Sequence, residues 1–339
     1  MGSRAEFLEA LGGESGCKRL SAEFYARVAQ DPVLRPLFPG KSQRCAIEQF
    51  ADFLIQFLGG DEEQTQHRWY LSLIESHARF RIGPAERSAW LKNMNATLAS
   101  SQLDEATRTA LSQFFLQSSD YVVGKESAVP EHAELATRWA EQRLLDDTIS
   151  AIAAGHDHEC LTAAPKFAHR PSVFVGLLAR MVQTGRPELI HFVMEAVERN
   201  PPMITSRFYG KTLLHFAAAA GCIKVVELLL RLGTDPNIQD YGGHTPLYCL
   251  GNECASETGP AVVQMLARAG ADVNACAGVT RATPLHMAAR RGNVGIANAL
   301  LDCGAAIEAK DNKGVTPLQR AINCRKDTVA KLLGERGAK

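Results

Sequence analysis

Four short segments recur along the second half of the chain, and their spacing restricts its fold more than any other feature. Lys211-Thr-Leu-Leu-His215-Phe-Ala-Ala-Ala-Ala-Gly221 is followed by Thr245-Pro-Leu-Tyr248, Thr283-Pro-Leu-His286-Met-Ala-Ala289 and Thr316-Pro-Leu-Gln319, at steps of 33, 38 and 33 residues. A period of this length marks one small helical unit repeated, which cannot bury its apolar face alone and must stack on its neighbours. The local chemistry agrees. Threonine caps a helix start, proline suits the first helical position, and glycine closes the helix. Small alanines between them let helices approach closely. The longer middle step places an insertion around Cys254–Pro260. Leu177 to Gly185 aligns with Leu213 to Gly221 at an offset of 36, so a degenerate unit is expected ahead of the clear ones.

With the loop Gly270-Ala-Asp-Val-Asn274, these segments resemble ankyrin repeats. The resemblance implies an array over 172–339, about four to five repeats with the first degenerate, and a concave surface that binds an unidentified protein partner. It also implies that His215 and His286 bond to neighbouring backbone and have no catalytic role. The lysine- and arginine-rich stretch Lys326 to Lys339 suits a solvated capping repeat.

A chain of 339 residues exceeds one ordinary domain and favours about two. With 37 basic and 37 acidic residues, it lacks the net positive charge of a nucleic-acid binder, and none is expected as a partner. No stretch nears the ~20 apolar residues that cross a bilayer, so no membrane insertion is expected. No basic leader followed by an apolar run is visible. The nine cysteines are scattered without a CxxC pair, which points to reduced thiols, mostly small core residues, in a cytoplasmic protein.

Residues 1–124 read as helix throughout. Leu20, Phe24 and Val28 form one stripe, and Ile47, Phe50, Phe53, Leu54, Phe57 and Leu58 a second, closed by Gly59-Gly60. Asp31-Pro32 and Gly83-Pro84 read as helix starts, and Leu103 to Val123 as a last amphipathic stretch. Such short helices with so many aromatics need a reason for a wide interior, and a flat macrocycle would supply one.

On Phe24-Tyr25, Phe38, Gly59-Gly60, His77-Ala-Arg-Phe80-Arg-Ile82 and Glu86-Arg-Ser-Ala-Trp90, the stretch 7–122 resembles a truncated haemoglobin of the two-over-two, group II kind. The resemblance implies a b-type haem whose iron is held by His77, with the other imidazole nitrogen donating to a carbonyl one turn back, near Leu73. It implies that Tyr25 donates a hydrogen bond to a bound diatomic ligand (oxygen, nitric oxide or carbon monoxide), and that Trp90 either supports that ligand or packs on the macrocycle. Phe38 matches the aromatic that stacks on haem, where many relatives have tyrosine. Ala46 falls where many full-length globins have a distal histidine, so no second axial ligand is expected there. Phe50 faces the same pocket, and Phe80 belongs to the proximal motif. Ser76 stands where relatives often have arginine, which shifts propionate anchoring to Arg79 or Arg81; His67 is read as a loop histidine.

Residues 125–133, with Pro130, break the helical pattern. Leu135, Trp139, Leu145, Ile149 and Ile152 then share one helix face, so 125–171 is expected to be a linker and helix. His156-Asp-His158-Glu-Cys160 has a metal-like composition, but histidines two apart cannot share a helix face, and a polar turn after Gly155 is expected. The fold expected is thus all-α: a truncated globin domain, a helical linker and an ankyrin solenoid. The function expected is reversible binding of oxygen by a haem globin, as carrier or gas sensor, with the array docking a protein. A nitric-oxide dioxygenase or peroxidase is the enzymatic alternative, and a haem-free interaction scaffold the third; whether the chain is an enzyme stays open.

Overall fold

The structure, a computed structural model, describes residues 6–38, 43–60, 72–78, 80–124 and 129–339. His67, Arg79 and the start of the expected linker lie outside the described residues. Helices dominate, and the chain divides into two compact units, Met1–Ser150 and Ala151–Lys339.

In the first unit, α1 (Glu6–Ala10) leads into α2 (Gly13–Val28), α3 (Arg44–Phe57), the single turn α4 (Leu73–His77), α5 (Pro84–Ser100) and α6 (Glu105–Val122). The two stripes read from the sequence point inward: Leu20, Phe24 and Val28 of α2 and Phe53, Leu54 and Phe57 of α3 are all buried. The helices meet where α2 packs on α3 and α5, and α5 on α6. Ser21 Oγ donates to the Ile47 carbonyl at 2.7 Å and pins α2 to α3. Asp31 starts a set of turns and one 3-10 turn (Arg35–Leu37) rather than an α-helix. Its Oδ1 accepts from the amides of Val33 and Leu34 at 2.9 and 3.0 Å. Asn93 of α5 holds its other oxygen at 2.8 Å.

The helix α7 (Ala133–Ala154) follows. Its N-terminal half belongs to the core of the first unit: Leu135 and Trp139 are buried with Phe114 and Phe115. The Trp139 ring meets Phe114 edge-on at 5.8 Å and Tyr121 at 5.3 Å. Arg138 Nη1 donates to the Phe57 carbonyl at 2.9 Å, satisfying one of the unpaired carbonyls that every helix C-terminus leaves.

In the second unit, α8 (Asp157–Ala163) occupies the place where a turn was expected. Gly155, in the left-handed region at φ 85°, ends α7, and the chain re-enters a helix two residues later. Among the described residues no cluster of three metal-type side chains forms there or elsewhere. Five helix pairs then stack: α9 (Pro171–Thr184) with α10 (Pro187–Arg199), α11 (Leu213–Ala220) with α12 (Ile223–Arg231), α13 (Pro246–Glu253) with α14 (Gly259–Arg268), α15 (Pro284–Arg291) with α16 (Val294–Asp302), and α17 (Pro317–Asn323) with α18 (Asp327–Glu335). A two-residue hairpin, β1 (Arg207–Phe208) and β2 (Lys211–Thr212), precedes α11, pairing Arg207 with Thr212. The first helices of successive pairs pack on one another, as do the second helices. Most of the extra length after Thr245 sits in the connector 254–258, where the next pair along has only Gly292 and Asn293. Of the nine cysteines, Cys17, Cys160, Cys249 and Cys254 are buried and Cys45 and Cys276 exposed, so the core reading of the thiols holds for part of them only.

Candidate functional site

A cavity of about 170 Å3 opens in the first unit. Its wall brings together Tyr25 from α2, Ala46 and Phe50 from α3, His77 from α4, Trp90 from α5, and Phe38 and Phe80 from the connecting stretches. The aromatic rings form a connected shell. Tyr25 meets Phe38 at 5.5 Å with the rings near perpendicular, and Phe38 meets Phe80 at 5.6 Å. Phe50 lies 6.4 Å from Tyr25 and 6.3 Å from Trp90, and Trp90 lies 5.6 Å from Phe115. Edge-to-face arrangements of this kind are favourable and hold ring orientation. The Asp31 turn brings Phe38 back toward Tyr25. The Gly83–Pro84 start, where Glu86 Oε2 accepts from the Gly83 amide at 2.8 Å, sets the beginning of α5.

His77 is the imidazole in this wall. Its Nδ1 lies 2.8 Å from the Leu73 carbonyl and 3.0 Å from Ser76 Oγ. A carbonyl can only accept, so Nδ1 bears the proton and the lone pair resides on Nε2. Ser76 Oγ also donates to Leu73 O at 2.7 Å, so this serine helps fix the same acceptor. An imidazole held in this tautomer, within an aromatic-walled cavity, fits an iron-bearing macrocycle.

Arg81 is exposed and does not line the cavity. Among the described residues the permanent cation in the wall is Arg87, on α5, which the sequence reading passed over. Its guanidinium is engaged with Asp120 at 2.8 Å and with the Leu116 carbonyl at 3.2 Å. Gln49, Ser118 and Ser119 also line the cavity and were missed. Gln49 falls between Ala46 and Phe50 at helical spacing, a signal that could have found it.

Residues 6–121 match the family model described as bacterial-like globin, and residues 178–275 and 252–339 match that of ankyrin repeats. The chain carries a globin domain followed by ankyrin repeats. The globin domain is similar to group 2 truncated hemoglobin YjbI of Bacillus subtilis, 37% identical over 82 residues, which is 24% of this chain and 61% of that protein. It also resembles group 2 truncated hemoglobin 3-1 of Lotus japonicus, 29% identical over 107 residues, 31% of this chain and 64% of the relative. The ankyrin region is similar to the human ankyrin repeat and SOCS box protein 16, 38% identical over 156 residues, 44% of this chain and 32% of that protein. The chain thus spans about a third of the length of that ankyrin relative and under two thirds of either truncated hemoglobin.

Globins bind haem, and the family match implies haem for this domain. In the ankyrin repeats, the histidines have structural partners. His215 Nδ1 accepts from the Thr212 amide at 3.1 Å, and its Nε2 donates to the His244 carbonyl at 3.0 Å. His286 repeats the pattern with Thr283 and with the Val315 carbonyl at 2.9 Å. Both are fully buried, and burial lowers the affinity of each for a proton, His215 to a pKa of about 4. Among the described residues no helix is long and apolar enough to cross a membrane.

Proposed function

We propose that the globin domain binds one b-type haem through His77 and takes up a diatomic gas, oxygen foremost, while the ankyrin array docks a protein partner in the cytoplasm. The observation that supports this most is the His77 contact with Leu73 O, which leaves Nε2 as the basic nitrogen of an imidazole in the cavity wall. Ferrous haem, when bound, supplies a reversible site for oxygen, nitric oxide or carbon monoxide. His77 would hold the iron through Nε2. Tyr25 supplies a phenol donor to the ligand, in a wall where Phe38, Ala46 and Phe50 offer none. Trp90 can donate through its indole N–H but cannot accept a proton. The aromatic rings lower the polarity of much of the wall, which strengthens the polar contacts made among them. Nine cysteines without a disulfide suit a reducing compartment.

The test is haem reconstitution of the full chain and of His77→Gly, followed by ferrous and carbon-monoxide spectra. Wild type should give a five-coordinate ferrous spectrum. His77→Gly should lose haem or lose the histidine signature, and added imidazole should restore it. Equal haem retention with identical ferrous spectra in both proteins would overturn the ligand assignment.

A further inference from the structure

The helix α7 begins beyond the globin match, which ends at residue 121, yet its side chains reach the proximal turn. Asp146 Oδ1 accepts from the Leu73 amide at 2.9 Å. The same oxygen accepts from Gln142 Nε2 at 2.9 Å, one turn back along α7. Tyr121 on α6 stands near the same carboxylate, and burial first, then the neighbouring carboxylates Asp146 and Asp147, push its phenol pKa up. Asp146 is 1% exposed and Gln142 9%. Burying a carboxylate this deeply is costly unless donors compensate its lost hydration, and two donors meet Oδ1 here.

What the carboxylate holds is the start of α4, a single turn. A turn of five residues is far below the length at which a helix holds itself, so its position must come from outside. Leu73 is the residue where two sets of bonds meet. Its N–H goes to Asp146, while its carbonyl accepts from His77 Nδ1 and Ser76 Oγ. Anything that moves Leu73 therefore moves the acceptor that orients the imidazole.

We propose that Asp146 is a positioning residue for His77, acting through Leu73 to set the direction and basicity of the imidazole offered to haem iron. This rests on the reading of His77 as the axial ligand. Outer partners of a metal-binding histidine tune ligand strength and retention, and here one such partner comes from a helix outside the family-matched stretch.

The experiment uses the full chain reconstituted with haem. Wild type, Asp146→Asn and Asp146→Ala are compared by the iron–histidine stretching frequency of the ferrous protein and by the rate of haem transfer to excess apomyoglobin. Circular dichroism checks that each variant is folded. Asp146→Ala should lower the stretching frequency and speed haem loss roughly tenfold or more. Asp146→Asn, which can still accept from Leu73 but is uncharged, should shift both in the same direction by less. It carries the test should the alanine variant not fold. Folded variants with wild-type frequency and wild-type haem loss would overturn the proposal and leave the His77 assignment standing. A wild-type protein without any iron–histidine band would instead overturn the assignment on which it rests.

Discussion

Replacing Trp139 with alanine should unfold the globin unit at a much lower denaturant concentration, although Trp139 lies outside the globin match. The indole is 1% exposed and packs edge-on against Phe114 and Tyr121. Removing so large a buried ring costs ~3–5 kcal/mol, from lost transfer energy and the cavity left behind. A domain of this size has roughly 5–15 kcal/mol in total. With a denaturant slope of roughly 2 kcal/mol per molar urea, the midpoint should fall by roughly 1.5–2.5 M. Soret absorbance and tyrosine fluorescence of the reconstituted full chain report this transition. Trp139→Phe is the control. Among the described residues Trp139 Nε1 meets no acceptor, so phenylalanine forfeits only part of the packing, and its midpoint should move by less than half as much. A Soret midpoint in Trp139→Ala within ~0.3 M of wild type would refute the view that α7 closes this core.

Three further outcomes are expected. Tyr25→Phe should speed oxygen dissociation by roughly fivefold or more, the equivalent of about 1 kcal/mol for one lost hydrogen bond; an unchanged stopped-flow rate would assign that role to Trp90 or water. Because burial holds the folded pKa of His215 near 4, below the ordinary 6.5, the unfolded chain binds the extra proton between those values. The array is thus more stable above pH 6.5 and loses about 2 kcal/mol between pH 7 and pH 5 from this residue. His215→Gln, which can close the same turn as Gln319 does with Thr316, should flatten that slope in urea titrations. Gly251→Ala sets ~1 kcal/mol of helix propensity against a methyl carbon 2.7 Å from the Pro284 carbonyl; backbone cannot yield cheaply, so a net loss of ~1–3 kcal/mol is expected in thermal melts.

Much of this architecture can be read from residues because its causes are local. Thr245, Thr283 and Thr316 cap the helices they announce, each accepting from the amide three residues on. The wall residues Tyr25, Phe38, Phe50, His77 and Trp90 are legible through the resemblance to truncated haemoglobins rather than through periodicity alone. What resists such reading depends on partners distant in sequence. The stripe Leu135–Trp139 tells which face of α7 is buried, but not that Phe114 and Tyr121 bury it. Asp146 looks like any polar helix residue until Leu73 meets it, 73 positions away. Arg81 and Arg87 are six residues apart, and only the way α5 lies against the cavity decides that Arg87 lines it. The turn expected after Gly155 assumed that a polar run stays irregular, whereas Asp157 enters α8 and pairs with Arg186 at 2.8 Å.

The connector 254–258 has a mechanical consequence. Thr258 Oγ1 reaches back to the Gly221 carbonyl at 2.6 Å, while Asn293 Nδ2 and Arg291 Nε reach from the following repeat to the carbonyls of Cys254 and Asn252. The longest link between paired helices is therefore fastened on both sides. A stacked array pulled from its C-terminal end peels repeat by repeat, because each holds only its neighbours. Here α17–α18 and then α15–α16 should come away in small steps, and the force should climb when the peeling front reaches this fastening. Pulled by its end, the array would behave as a frayed rope with a knot part-way along, and whatever the partner tugs on, the repeats behind Asn252 would feel it last.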